Sequence, residues 1–208
     1  MTRSSLALLL CLAAAPLSAV PRPAGPKPLQ LRAALEAGGK PWGFALDGET
    51  LAVTPPGAAA PSQVLAVHPS DTPPDHPVLE LVDLNFDGVK DLRLLSAKHG
   101  QGQTIWQYWL FDPKTRRFVP NPQLDAALNP RPDTEGRAKT LSAYWNGGAA
   151  GRVYWRRAYR WDEGRLVLIE ETEQTALPGR PDDFQKTVRR RHGTGLAVVE
   201  QSTVHDPH

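Results

Sequence analysis

The chain has 208 residues, 24 Lys and Arg against 22 Asp and Glu, and a net charge of +2. This balance argues against a nucleic-acid or membrane-surface function, either of which would need a basic excess on one face. Its single cysteine, Cys11, excludes an intramolecular disulfide framework.

Arg3, an apolar run from Leu6 to Ala15, and Pro16-Leu17-Ser18-Ala19 predict a secretory signal peptide over residues 1–19. The apolar core is too short for a transmembrane helix, and no later segment has the length to span a bilayer, so no integral membrane segment is expected after cleavage. Leu10 stands before Cys11 where lipidation needs a small residue, which argues against a lipid anchor there. About 190 residues then remain, enough for one domain with a sizeable core.

Residues 20–28 hold Pro21, Pro23, Pro26 and Pro28 and read as an extended Pro-rich linker. Residues 29–37 suit two turns of helix, stopped by Gly38 and Gly39. Residues 42–46 and 51–53 flank Asp47-Gly48, a hairpin signal, and 64–67 reads as another short strand. The prolines around them, from Pro55 to Pro77, confine this region to sheet edges and loops. Residues 78–82 and 92–95 are short apolar runs suited to buried strands. Residues 104–111 are apolar or aromatic on both alternating faces, as in a central strand, and Asp112-Pro113-Lys114-Thr115 turns them towards 117–119. Strands are then predicted at 139–144, 152–161, 165–175, 184–192 and 196–204, with turns at Gly164 and at Gly193-Thr194-Gly195. The expectation is one all-β domain, an antiparallel meander over residues 29–208.

Between two of these strands lies Asp83-Leu84-Asn85-Phe86-Asp87-Gly88-Val89-Lys90-Asp91. Oxygen-bearing side chains at positions 1, 3, 5 and 9, glycine at 6 and a backbone carbonyl at 7 form the ligand comb of an EF-hand-like calcium loop. The candidate ligands are Asp83, Asn85, Asp87, Val89 and Asp91. Position 12 is Leu94, so the bidentate glutamate of an EF-hand is missing. The flanks are also strands instead of helices. The competing reading is a metal-free Asp/Asn/Gly turn.

Other constellations weigh towards structure. Arg156, Arg157, Arg160 and Arg189-Arg190-Arg191 fall on strands flanking Glu170, Glu171 and Glu173, which predicts cross-strand ion pairs on a solvated face. Val153, Trp155, Tyr159 and Trp161 alternate as a core face. Tyr144 and Trp145 abut residues 146–151, read as a loop of small residues, and are the candidate partner-contact site. The histidines lack zinc-site spacing, there is no serine elbow or phosphate loop, and Asp83, Asp87 and Asp91 are better used by an ion than as an acid/base pair. No enzymatic activity is expected.

Three blocks resemble a known family. They are residues 81–92, then Tyr108-Trp109-Leu110-Phe111-Asp112 leading into Phe118-Val119, Leu124, Leu128-Asn129-Pro130 and Asp133, and lastly residues 159–168 followed by Glu170. Together they are similar to exported bacterial β-rich calcium-loop proteins, whose known members include periplasmic immunity proteins that inhibit type IV-secreted peptidoglycan hydrolases. The resemblance implies a β-propeller-like fold, a periplasmic location, bound calcium at the five positions named, and a protein partner, a secreted cell-wall hydrolase. The alternative is a carbohydrate- or cell-wall-binding module that stacks the same aromatic rings on glycan.

Overall fold

Apolar residues at every second position, cut by glycine-bearing turns, place most of this chain in antiparallel strands. The computed structural model describes residues 30–37, 40–69, 78–98, 100, 103–133 and 139–206. The expected signal peptide (1–19) and linker (20–28) lie outside the described residues.

Among the described residues, fourteen strands form three sheets, and in each sheet the strands follow chain order. The first holds β1 (Gln30–Ala37), β2 (Lys40–Asp47), β3 (Thr50–Thr54) and β4 (Gln63–Ala66). The second holds β5 (Leu79–Val82), β6 (Asp91–Lys98), β7 (Thr104–Asp112) and β8 (Arg117–Pro120). A short helix, α1 (Pro122–Ala126), leads to the third. That sheet holds β9 (Arg131–Pro132), β10 (Leu141–Gly148), β11 (Val153–Asp162), β12 (Arg165–Leu177), β13 (Arg180–His192) and β14 (Gly195–His205). All neighbouring pairs are antiparallel, so the described residues form an all-β meander with one helix.

Three sequence expectations need correction. Residues 30–37 form a strand paired along its length with β2, where a helix was expected. Leu31, Ala33 and Leu35 repeat with period two as well as fitting two helical turns, and the sheet partner decides between them. The β2–β3 turn is Gly48-Glu49, one residue later than the Asp47-Gly48 signal, because Asp47 pairs with Thr50 and Gly48 takes φ 56°. The prolines do not confine the whole region to edges. They fall outside β3, which lies inside the sheet with Leu51 and Val53 fully buried.

The second sheet is the wall between two cores. Leu79, Leu92, Leu94, Trp109 and Phe118 pack with Trp42, Phe44, Leu46, Leu51, Val53 and Leu65 of the first sheet. Trp42, Phe111 and Phe118 meet edge-on there, with ring centroids 5.2–5.6 Å apart. Leu95, Trp106 and Tyr108 join Leu84, Leu124, Leu141, Ala143 and Tyr159 in the second core, with Trp155 and Trp161 against it. The central position expected for residues 104–111 is therefore observed in β7. Helix α1 is started by Asn121, whose Oδ1 accepts the Leu124 N–H at 3.0 Å, with Pro122 at its first turn. It buries Leu124 in the second core.

On the third sheet, Glu171 accepts from Arg157 at 2.7 Å and from Arg189 at 3.0 Å, and Glu170 accepts from Arg190 at 2.8 Å. These are the cross-strand pairs that the charge pattern predicts, and they occupy those guanidinium groups without a partner molecule.

Candidate metal centre

The Asp83–Asp91 segment links β5 to β6, and its odd and even residues do different work. Leu84 is fully buried and Phe86 packs against the second core, which anchors the loop from beneath. Trp161 adds a tie by donating its indole N–H to the Leu84 carbonyl at 2.7 Å. Phe86 and Gly88 adopt φ of 59° and 87°, giving the sharp turn for which position 6 needs glycine.

The polar residues brace the turn. Asp83 Oδ2 accepts the Gly88 N–H at 3.0 Å, Asn85 Oδ1 accepts the Asp87 N–H at 3.1 Å, and Asp87 Oδ1 accepts the Val89 N–H at 2.7 Å. Asn85 Nδ2 donates to Asp87 Oδ2 at 2.9 Å. Asp91, the first residue of β6, is fully buried, and each of its oxygens takes a backbone N–H: Leu84 at 2.7 Å and Phe111 at 2.9 Å. Burial pushes the Asp91 carboxyl up to about 6. The two backbone N–H groups oppose that shift, while the charges of Asp87 and Asp83 add to it.

The donor chemistry suits a hard cation at one point in particular. Asp83 Oδ1 is buried with no hydrogen-bond partner, although Oδ2 of the same carboxylate is fixed. An ionised oxygen in that state is costly unless a cation meets it. Closure of a full ligand sphere is a separate matter: among the described residues, no three Asp, Glu, His or Cys side chains converge as a metal cluster. Leu94, at position 12, is fully buried in the first core and supplies no ligand.

Tyr144 and Trp145, adjacent on β10, do not form one patch. Tyr144 is 45% exposed and its ring lies 5.8 Å from that of Tyr154. Trp145 is on the other face, stacked on Trp155 with centroids 6.3 Å apart and planes 10° apart. Arg157 covers the same Trp155 ring at 4.3 Å. The strand also continues through Gly148 with a bulge, and only Ala149–Gly151 form a 3-10 turn, so the supposed loop is shorter than 146–151. Gly147 is needed for close packing: a Cβ there would sit 2.8 Å from Val153 Cγ1.

One polar residue of the second core escaped the sequence reading. Arg93, in the run Leu92-Arg93-Leu94-Leu95, is buried, pairs with Glu80 and lies 4.3 Å over the Trp106 ring. Its signal was a lone charge within an apolar strand, matched by Glu80 on the facing strand.

No protein-family model matches the sequence, and no curated protein is significantly similar to it. In fold, the chain is similar to a solved structure described as a Xanthomonas type IV secretion system related protein. That match has a TM-score of 0.59, 19% identity, and covers 82% of this chain and 93% of the other.

Proposed function

We propose that the protein is an exported, calcium-stabilised binding protein that acts in the periplasm as an immunity protein, inhibiting a peptidoglycan hydrolase. The observation that carries the calcium assignment is the Asp83 carboxylate, with one oxygen fixed by Gly88 N–H and the other buried and partnerless. Asp83, Asn85 and Asp87 would offer side-chain oxygens and Val89 its carbonyl. Each Asp91 oxygen has two lone pairs, so its hydrogen bonds to Leu84 and Phe111 leave capacity for the ion or its water. When bound, calcium supplies positive charge among three carboxylates. The chain's own residues do the rest, since Asp91 already ties the loop to β7.

The inhibitory role is supported by the fold likeness to a type IV secretion system related protein and by three successive meander sheets, which suit a rigid, propeller-like scaffold. The proposal assigns no catalytic residue. Where a neighbouring reading frame encodes a secreted peptidoglycan hydrolase, purified protein mixed with that enzyme is expected to block peptidoglycan lysis at near-equal amounts. Undiminished lysis at large excess removes this role. The exposed Tyr144 ring, set against half-buried Tyr154, also favours a second reading, a glycan-stacking module. Co-sedimentation with purified peptidoglycan separates the two, because an inhibitor needs the enzyme and not the polymer.

A further inference from the structure

A groove of about 480 Å³ opens where the first and second sheets meet, far in sequence from the calcium loop and from Tyr144. One wall is the β3–β4 connection, with Pro55, Pro56 and Ser62, and the other is the β7–β8 turn, with Thr115, Arg116 and Arg117. Its volume falls within the range of ligand sites.

Both walls are fixed. The Pro55 turn is closed by Ala58 N–H to the Pro55 carbonyl at 3.1 Å, and Ser62 N–H bonds the Val53 carbonyl at 3.0 Å. The opposite turn is held by Asp112, which accepts from Lys114 N–H at 2.9 Å and from the Thr115 hydroxyl at 2.7 Å. The walls are joined by Gln63, whose side chain makes two hydrogen bonds to the Phe118 backbone. Little ordering remains for a ligand to impose.

The chemistry of the groove is cationic and apolar together. Arg116 and Arg117 are exposed, and among the described residues neither forms an ion pair or a side-chain hydrogen bond. Asp112, the nearest acid in the turn, accepts from the turn's own Lys114 N–H and Thr115 hydroxyl and, among the described residues, forms no ion pair with either arginine. Arg116 also holds φ at 56°, a left-handed conformation that glycine or asparagine would adopt at less cost, so its presence there is not explained by the turn. Val64 and Val119 are 64% and 48% exposed. Val119 lies two residues beyond the lining Arg117 within β8, on the same side of the strand and about 7 Å further along, and Val64 follows the lining Ser62 by two residues at the start of β4. Two guanidinium forks that are unpaired among the described residues, beside proline rings and exposed valines, match carboxylates interspersed with aliphatic side chains. A polyanion alone would be met by a denser basic surface than a chain of net charge +2 provides.

We propose that this groove docks an extended acidic segment of a protein partner, with its carboxylates on Arg116 and Arg117 and its aliphatic side chains over Val64 and Val119. The site goes beyond the inhibitor assignment and does not depend on bound calcium.

The test is fluorescence anisotropy on the full chain with two labelled hexapeptides, one alternating aspartate and leucine, the other asparagine and leucine. The acidic peptide is expected to bind and to weaken as salt rises, and the amide peptide to bind at least about tenfold more weakly. The double variant Arg116→Glu, Arg117→Glu should lose the acidic peptide while keeping the parent's melting temperature. Should that variant unfold, Arg117→Gln alone is measured and is expected to bind several-fold more weakly. Failure of the parent to bind the acidic peptide overturns the proposal. So does equal binding of the amide peptide, equal binding by both arginine variants, or displacement of the acidic peptide by polyphosphate at lower concentration than by unlabelled peptide.

Discussion

Gln63 and Phe118, 55 residues apart, exchange two hydrogen bonds: Gln63 Nε2 donates to the Phe118 carbonyl at 2.7 Å, and Phe118 N–H donates to Gln63 Oε1 at 2.9 Å. These residues lie on β4 and β8, the outer strands of the first two sheets. One primary amide thereby satisfies a backbone donor and acceptor that would otherwise form an open edge. Gln63→Ala leaves both groups part-buried and unpaired and should cost about 2 kcal/mol. Gln63→Glu keeps the acceptor but sets a carboxylate against a carbonyl, so it should be no better than alanine. Urea unfolding midpoints of the three proteins check this, and an alanine variant as stable as the parent would show that the sheets hold together without the amide.

The proposed calcium site makes a stability prediction separable from any binding partner. An ion bound only by the folded chain stabilises it by about 2.7 kcal/mol at a hundredfold excess over its dissociation constant. Calcium should therefore raise the melting temperature of chelator-treated protein, and magnesium, which needs a tighter octahedral site, should raise it less. Asp83→Asn retains an acceptor for Gly88 N–H but removes the charge, and should abolish the calcium response. A melting temperature indifferent to chelator reduces the loop to a braced turn.

How much of this was legible in the residues depends on the range of the interaction. Leu92 and Leu94 against Leu95, or Trp109 against Trp106 and Tyr108, show which faces of the second sheet are covered, and alternation and turn residues reveal most strand positions. The alternation of Asp83, Asn85, Asp87 and Asp91 around a glycine turn was readable from spacing alone. That Asp91 gives its oxygens to Leu84 and to Phe111 was not, because Phe111 lies 20 residues away on another strand. The same holds for Gln63 and Phe118. Strand β1 was missed because Leu31, Ala33 and Leu35 satisfy two periods, and only pairing with β2 selects one. The opposite directions of Tyr144 and Trp145 were readable from the period of a strand, but the small residues beyond them suggested a loop.

Asp125 provides a pH prediction. Its Oδ1 accepts the Tyr108 N–H at 3.1 Å, and partial burial raises its carboxyl above the usual value, with that hydrogen bond opposing the shift. A raised folded value means that the unfolded chain releases its proton first as pH rises. Ionisation of Asp125 therefore costs the fold stability from about pH 4 upwards, until the folded group has also ionised. Asp125→Asn preserves an acceptor and removes the charge. It should be more stable than the parent at neutral pH and no more stable near pH 3, by denaturant titration at both. Equal effects at the two pH values would trace the change to packing.

The two rings on β10 should separate cleanly under mutation. Tyr144 is exposed and touches Tyr154, so Tyr144→Ala removes contact area from the surface and should change the folding free energy by less than about 0.5 kcal/mol. Trp145 stacks on Trp155, which itself packs against the second core and carries Arg157 on its ring. Trp145→Ala strips one layer from that stack and should cost about 2 kcal/mol, with Trp145→Phe recovering part of it. If Tyr144 is the partner contact, its alanine variant alone should lose inhibition of the hydrolase while keeping the parent's thermal unfolding curve. A Tyr144→Ala variant that inhibits like the parent moves the contact elsewhere, and the proline–arginine groove becomes the next surface to test.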